Sequence, residues 1–161
     1  MFNKNVSNIV MWTKFEEEKE RIEEIRENKL VLPNIKIPNN IKFTTDINYA
    51  IKNSNLIVIA VPAGFVNDIS ILLKDIITDK QHILIASKGI ERNTCSFVHD
   101  ILLRHIKTDN LAVISGPSFA IDVSNNEPVG LSLGTKNKET EKLIKRTLEN
   151  DTLNLEQLMI L

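Results

Sequence analysis

Apolar runs alternate with amphipathic stretches along the whole chain. Leu56, Ile57, Val58, Ile59, Ala60 and Val61 form an unbroken apolar run closed by Pro62. Its length and β-branched content predict a strand buried on both faces, the pattern of a parallel sheet. Residues 82–87 and 111–115 repeat this layout, residues 130–134 read as a further strand, residues 9–12 as a shorter one, and residues 41–45 as a weakly alternating one. Between these runs the period changes to that of a helix. Residues 15–28 put Phe15, Ile22 and Ile25 on one side and a Glu/Lys/Arg run on a solvated face. Asp46 is placed to cap a short helix through Asn53. Residues 66–77 carry Ile69, Leu72, Leu73 and Ile76 as a stripe, and a further helix carries Phe97, Val98, Ile101, Leu102 and His105 on one face. Asn137 caps a last helix running toward Asn150, with Glu139 and Glu141 in the first turn, where the helix dipole favours anions. Pro33 and Pro38 break residues 30–40 into a loop, because each removes a backbone donor and holds its predecessor extended. The order β-α-β-α-β-α-β predicts an α/β fold built on a doubly wound parallel sheet.

Composition narrows the function more than the fold. The 161 residues suffice for one domain with a real core, and 42% hydrophobic against 25% charged residues is ordinary globular usage. A net charge of −1 argues against a nucleic-acid or anionic-membrane surface as the main business, so these are not expected partners and any anion site must be local. The single cysteine rules out an internal disulfide and fits a reducing compartment; Cys95 is expected as a buried or half-buried helix residue rather than a nucleophile. No apolar run approaches the roughly 20 residues of a membrane span, and residues 1–5 lack a signal-peptide core, so the expected location is the cytoplasm. His82, His99 and His105 have no partners at metal-ligand spacing, so no metal is assigned. The 18 asparagines weaken asparagine as a turn signal, and glycine and proline carry the punctuation instead.

Two strand ends carry candidate chemistry. The run 111–115 leads into Gly116-Pro117-Ser118-Phe119-Ala120, and the run 82–86 leads into Ser87-Lys88-Gly89. Open α/β sheets bind ligands at the carboxyl ends of their strands. A glycine, a hydroxyl and a fresh helix start beside a fixed cation suit a phosphorylated small molecule held by a nucleotide-binding domain. Other readings stand beside this one: Lys88 as an exposed lysine next to a turn glycine, and Ser118 as a helix cap. None of the five glycines forms G-x-G-x-x-G, the turn that opens a dinucleotide fold, so the chain is expected to begin at the second strand.

The combination resembles the bacterial and kinetoplastid type of NAD(P)-dependent glycerol-3-phosphate dehydrogenase. The pieces, in order, are Met11-Trp12, then Arg26-Glu27-Asn28 followed by Leu32-Pro33 and Ile37-Pro38. After them come Thr45-Asp46, the strand ending in Pro62, Ser87-Lys88-Gly89-Ile90-Glu91, and Gly116-Pro117-Ser118-Phe119-Ala120. The resemblance runs from about residue 9 to about residue 149. It implies a Rossmann-like domain over residues 1–150, partial at its N-terminus, and residues 151–161 form a tail with no assigned function.

The resemblance implies NAD or NADP as cofactor and dihydroxyacetone phosphate or glycerol 3-phosphate as substrate, with the product serving phospholipid synthesis. Lys88 then lies between cofactor and substrate, Gly116 and Ser118 contact glycerol 3-phosphate, and Ala120 contacts the cofactor. Phe65 matches an aromatic near the cofactor, with a core phenylalanine as the competing reading. Thr13, Lys14 and Phe15 follow the second strand, where the adenosine ribose sits. Thr13-Lys14 offers a cation that suits a 2′-phosphate, and Glu16 to Glu18 blunt that preference. The family's glycine-rich first turn and its helical C-terminal domain, with the acid–base lysine, have no match in these residues, so no catalytic residue is assigned and the chain alone is expected to be inactive. The alternative is a non-catalytic truncated module used for binding or assembly. A sheet without its first strand exposes apolar edges, which invites self-association and leaves room for a homo-oligomer. A ketopantoate or phosphogluconate enzyme of the same superfamily fits the 116–120 loop less well.

Overall fold

Strand pairing divides the described residues, 2–92 and 94–158 of this computed structural model, into two sheets. In the smaller, β1 (Ile9–Trp12) runs parallel to β2 (Ile41–Thr44). The larger has the order β3 (Leu56–Ile59), β4 (His82–Ile85), β5 (Leu111–Ser115), β6 (Val129–Gly134) and β7 (Leu153–Leu158). Helices α1 (Glu16–Ile25), α2 (Ile47–Lys52), α3 (Val66–Leu73), α4 (Val98–His105), α5 (Ala120–Ser124) and α6 (Lys138–Leu148) link the strands in chain order.

The unbroken apolar runs are explained by two cores, one on each face of the larger sheet. Ile57, Ile59, Ile83 and Ile85 join Val66 and Leu73 of α3 and Ile101 and Leu102 of α4. Leu84, Ala112, Ile114, Leu131, Leu133, Leu153 and Leu155 join Ile144 and Leu148 of α6. Successive residues of a strand point to opposite faces, so a strand covered on both sides has no polar position. Ile83, Leu84 and Ile85 are completely buried, and each such side chain is worth about 1.5–3 kcal/mol relative to exposure.

Asparagine and aspartate caps set two helix starts as expected. Asp46 accepts from the backbone N–H groups of Asn48 (2.9 Å) and Tyr49 (3.2 Å), and Asn137 does the same for Glu139 (2.9 Å) and Thr140 (3.1 Å). Each cap satisfies two of the four orphan donors of its helix. Arg26 stands in the left-handed region at φ 51° and ends α1. Its guanidinium donates to the carbonyls of Pro38 and Ile41 and stacks 5.2 Å over the ring of Phe43. Glu27 is buried, accepts from the Asn34 N–H at 2.9 Å and pairs with Lys36 at 3.1 Å. Arg26 and Glu27 thus stitch down the proline-broken loop.

Several expectations change. The sheet is mainly parallel, but β5 and β6 pair antiparallel, while β6 and β7 are parallel. Residues 116–128 reverse the chain at the carboxyl edge without crossing a face, and hydrophobic pattern carries no information on strand direction. Residues 153–158, to which the pattern assigned no element, form the edge strand β7. Phe15 and Phe97 do not belong to buried helix stripes. They are the N-cap residues of α1 and α4, extended in backbone and exposed, and Leu72 of α3 is exposed as well. Cys95 is neither buried nor helical: it is exposed at φ 53°. An Ile90–Phe97 bridge folds that loop back, and the Cys95 N–H donates to the Glu91 carbonyl at 2.9 Å. His105 packs at a helix rim, its Nε2 2.9 Å from Oδ1 of Asn67 on α3.

Candidate functional site

The loops leaving β4 and β5 converge at the carboxyl edge of the parallel strands. Lys88 extends its ammonium to the Gly116 carbonyl (3.1 Å), the Ser118 carbonyl (3.3 Å) and the Ser118 hydroxyl (3.0 Å). Among the described residues, no carboxylate lies within ion-pair distance of Lys88. The lysine is oriented by neutral oxygens alone, so its full charge remains available to an anion. The preceding residue explains how it is held. Ser87 is buried, and its hydroxyl donates to the carbonyls of Ile59 (3.3 Å) and Val61 (2.5 Å), which ties the end of β4 to the end of β3. Sequence reading used Ser87 only as part of a motif and did not find this tie.

Gly116 has a local structural reason to be glycine. Its φ is 145°, and a Cβ there would lie 3.0 Å from Leu131 Cδ2 and 3.1 Å from the Gly130 carbonyl. The missing side chain therefore lets β6 approach the loop, whether or not a ligand approaches from outside. Ser118 is not a helix cap. Phe119 occupies the N-cap position of α5 with no side-chain capping bond, and the Ser118 hydroxyl meets Lys88 instead. Ala120 opens α5 and is exposed.

The remaining candidates are Phe65 and the residues that follow β1. Phe65 closes a 3-10 turn, Ala63–Phe65, and is 58% exposed, which sets aside the core reading. That turn is close to the Lys88 loop: a Cβ on Gly89 (φ 107°) would lie 3.7 Å from Ala63 Cβ. Thr13, Lys14 and Phe15 follow β1 in the smaller sheet. Thr13 donates its hydroxyl to Glu18 Oε2 and its backbone N–H to the Thr44 carbonyl at 3.1 Å. Lys14 and Phe15 are exposed. Glu16 bonds Lys19 and the Thr45 hydroxyl, both at 2.6 Å, and these donors, Lys19 foremost, hold its carboxyl below the usual value. The run of glutamates read as a solvated face thus has two members turned onto the end of β1 and β2; only the closeness of Glu16 and Glu18 to Thr13 in sequence hinted at this.

An open hollow of about 550 Å³ lies at the opposite, amino edge, lined by Lys52, Asn53, Asn55, Thr78, Lys80 and Gln81 among others. Gln81 is fully engaged there, donating to the carbonyls of Ile51 and Ser54 and accepting from the Thr78 N–H. Among the described residues, no group of three or more His, Cys, Asp or Glu side chains could hold a metal ion, and no helix is long and apolar enough to cross a membrane.

Comparison with known proteins gives this geometry a context. The family profile described as NAD-dependent glycerol-3-phosphate dehydrogenase N-terminus matches residues 1–141. A glycerol-3-phosphate dehydrogenase [NAD(P)+] of Fusobacterium nucleatum is 34% identical over 157 residues, covering 96% of this chain and 47% of that protein. One of Agathobacter rectalis is 30% identical over 151 residues, covering 94% of this chain and 45% of that protein. The chain thus spans just under half the length of these relatives. The crystal structure of glycerol-3-phosphate dehydrogenase from Coxiella burnetii superimposes with a TM-score of 0.87 at 22% identity, covering 98% of this chain and 48% of that one. Prephenate dehydrogenase from Aquifex aeolicus gives 0.66 at 15% identity, with 94% and 52% covered. At such identities the structural likeness establishes the Rossmann-like fold and nothing finer.

Proposed function

The chain belongs to the family of NAD-dependent glycerol-3-phosphate dehydrogenase N-terminal domains, and from that premise we propose that its carboxyl-edge loops bind NAD(P) and help hold a phosphorylated triose. The reaction served is hydride transfer between NAD(P)H and dihydroxyacetone phosphate, giving sn-glycerol 3-phosphate. The same reading extends to a cytoplasmic location and to use of the product in phospholipid synthesis.

The donor set suits these ligands. Lys88 offers an ammonium with no carboxylate partner among the described residues, and Ser118 adds a hydroxyl on the same loop cluster. Exposed Phe65 offers an aromatic face beside that loop, and Thr13, Lys14 and Phe15 would take the adenosine end. Ala120 would lie against the cofactor. When bound, the nicotinamide supplies or accepts the hydride, while the protein orients the reactants and sets the local charge.

The observation that carries the reading is the convergence of Lys88, Gly116 and Ser118 through three hydrogen bonds. A lysine held by neutral oxygens is already in place, and because its three donors are engaged there, a phosphate oxygen would replace one of those bonds rather than add to them. A hydrogen bond to a charged group is worth about 1.5–3 kcal/mol. Calorimetric titration of glycerol 3-phosphate into Lys88→Ala should therefore show affinity lower by about tenfold or more. Equal affinity in the parent and the variant would refute the assignment. Little turnover is expected of this chain by itself, since Lys88 is assigned to holding phosphate and not to moving a proton at the carbonyl oxygen. Dihydroxyacetone-phosphate-dependent NAD(P)H oxidation by the purified chain, lost in Lys88→Ala, would overturn that expectation.

A further inference from the structure

We propose that Glu18 makes this chain selective for the dinucleotide with a free ribose 2′-hydroxyl, NAD, over its 2′-phosphorylated form, NADP. The inference rests on the reading above that the adenosine ribose lies at the carboxyl end of β1. In doubly wound dinucleotide folds that position decides between the two forms: a carboxylate accepts from the 2′-hydroxyl, whereas a cation suits the 2′-phosphate. This chain places both signs there, Lys14 and Glu18, and sequence leaves the contest open.

Geometry decides it. Thr13 is fixed to the smaller sheet through its N–H to the Thr44 carbonyl, and its hydroxyl donates to Oε2 of Glu18. Glu18 is half-buried and is held against the end of β1 by that bond, while Oε1 meets no protein donor among the described residues. One carboxylate oxygen therefore keeps its acceptor capacity at the strand end. Lys14 is exposed and makes no hydrogen bond or ion pair among the described residues, so nothing fixes its ammonium in place. Lys19, the next cation along the chain, is committed to Glu16 at 2.6 Å. The N-terminus of α1 would itself attract a phosphate, but its first turn already carries Glu16, Glu17 and Glu18. A doubly charged phosphate arriving there meets the positioned Glu18 carboxylate, whereas a hydroxyl meets an acceptor.

The test is calorimetric titration of NADH and of NADPH into the full chain, repeated with Glu18→Gln and Glu17→Gln. Trp12, the only tryptophan and the last residue of β1, gives an independent fluorescence signal at the same strand end. Glutamine can still accept from Thr13, so Glu18→Gln removes charge while keeping the bond that positions it. The parent should bind NADH about tenfold more tightly than NADPH. Glu18→Gln should bring the ratio within about threefold, chiefly by tightening NADPH, while Glu17→Gln, an equal charge change at an exposed neighbour, should leave it nearly unchanged. Equal or tighter binding of NADPH by the parent overturns the assignment, as does an equal response to both substitutions. Saturable binding of neither dinucleotide overturns it together with the cofactor reading on which it rests.

Discussion

Replacing Gly116 with alanine tests whether the binding loop is held in place by the sheet beneath it. Two separate penalties follow from the local geometry. A side chain at φ 145° occupies a backbone region that L-residues rarely adopt, at a cost of about 1–3 kcal/mol. The new methyl would also lie 3.0 Å from Leu131 Cδ2 and 3.1 Å from the Gly130 carbonyl. Leucine can turn aside, but the carbonyl belongs to β6 backbone and cannot move without shifting the strand. Overpacking of this kind costs about 1–3 kcal/mol. Because one small displacement relieves part of both, the expected total is about 2–4 kcal/mol. Urea unfolding followed by far-ultraviolet circular dichroism measures it, with the midpoint falling at constant slope. Gly130→Ala is the control, since a Cβ there meets nothing within 4 Å and its φ is not in the positive range. If Gly116→Ala and Gly130→Ala both stay within about 0.5 kcal/mol of the parent, the argument from close approach is wrong.

Glu27 predicts an acid response. Its carboxyl is held below the ordinary value, first by the Asn34 N–H and then by Lys36. A depressed folded pKa contributes stability that is present above the unfolded value and lost as pH falls through the folded one. Glu27→Gln should therefore melt below the parent near neutrality, and the gap should narrow on acidification below about pH 4.3; a gap that stays constant from pH 7 to pH 3 refutes the account. Cys95, exposed in a turn, should react with an aromatic disulfide reagent as fast in the native protein as in denaturant, and strong protection in the native state would contradict its placement.

The parts of the structure that sequence made legible are those governed by local chemistry. Asp46 and Asn137 cap because a short acceptor side chain before a helix has orphan N–H groups within reach. The strand from Leu56 shows itself because burial on both faces leaves no polar position. The errors at Phe15 and Phe97 share one cause: the helical period runs on to the N-cap residue itself, where the backbone is already extended. Cys95 was misplaced for a similar reason, since a bridge between Ile90 and Phe97 interrupts the run toward α4. The direction of β6 is absent from any hydrophobic pattern. At the candidate site, strand-end position pointed to Lys88 and Ser118, but their mutual hydrogen bond depends on how two loops 30 residues apart are brought together. The turn of Glu18 onto Thr13 was hidden because six glutamates crowd the first nine residues of one helix.

The antiparallel strand β6 also decides how stiff the candidate site can be. Gly116 rests on Leu131 and the Gly130 carbonyl of β6, and among the described residues β7 is the strand beyond β6. The oxygens that orient Lys88 are therefore mounted two strands from the β7 end of the sheet, and the opposite anchor, Ser87, is tied to β3 at its other end. Fraying at residues 153–158 would loosen one wall of the anion cradle and leave the other standing. Backbone amide exchange along β6 should accordingly report on ligand affinity more faithfully than exchange along β4.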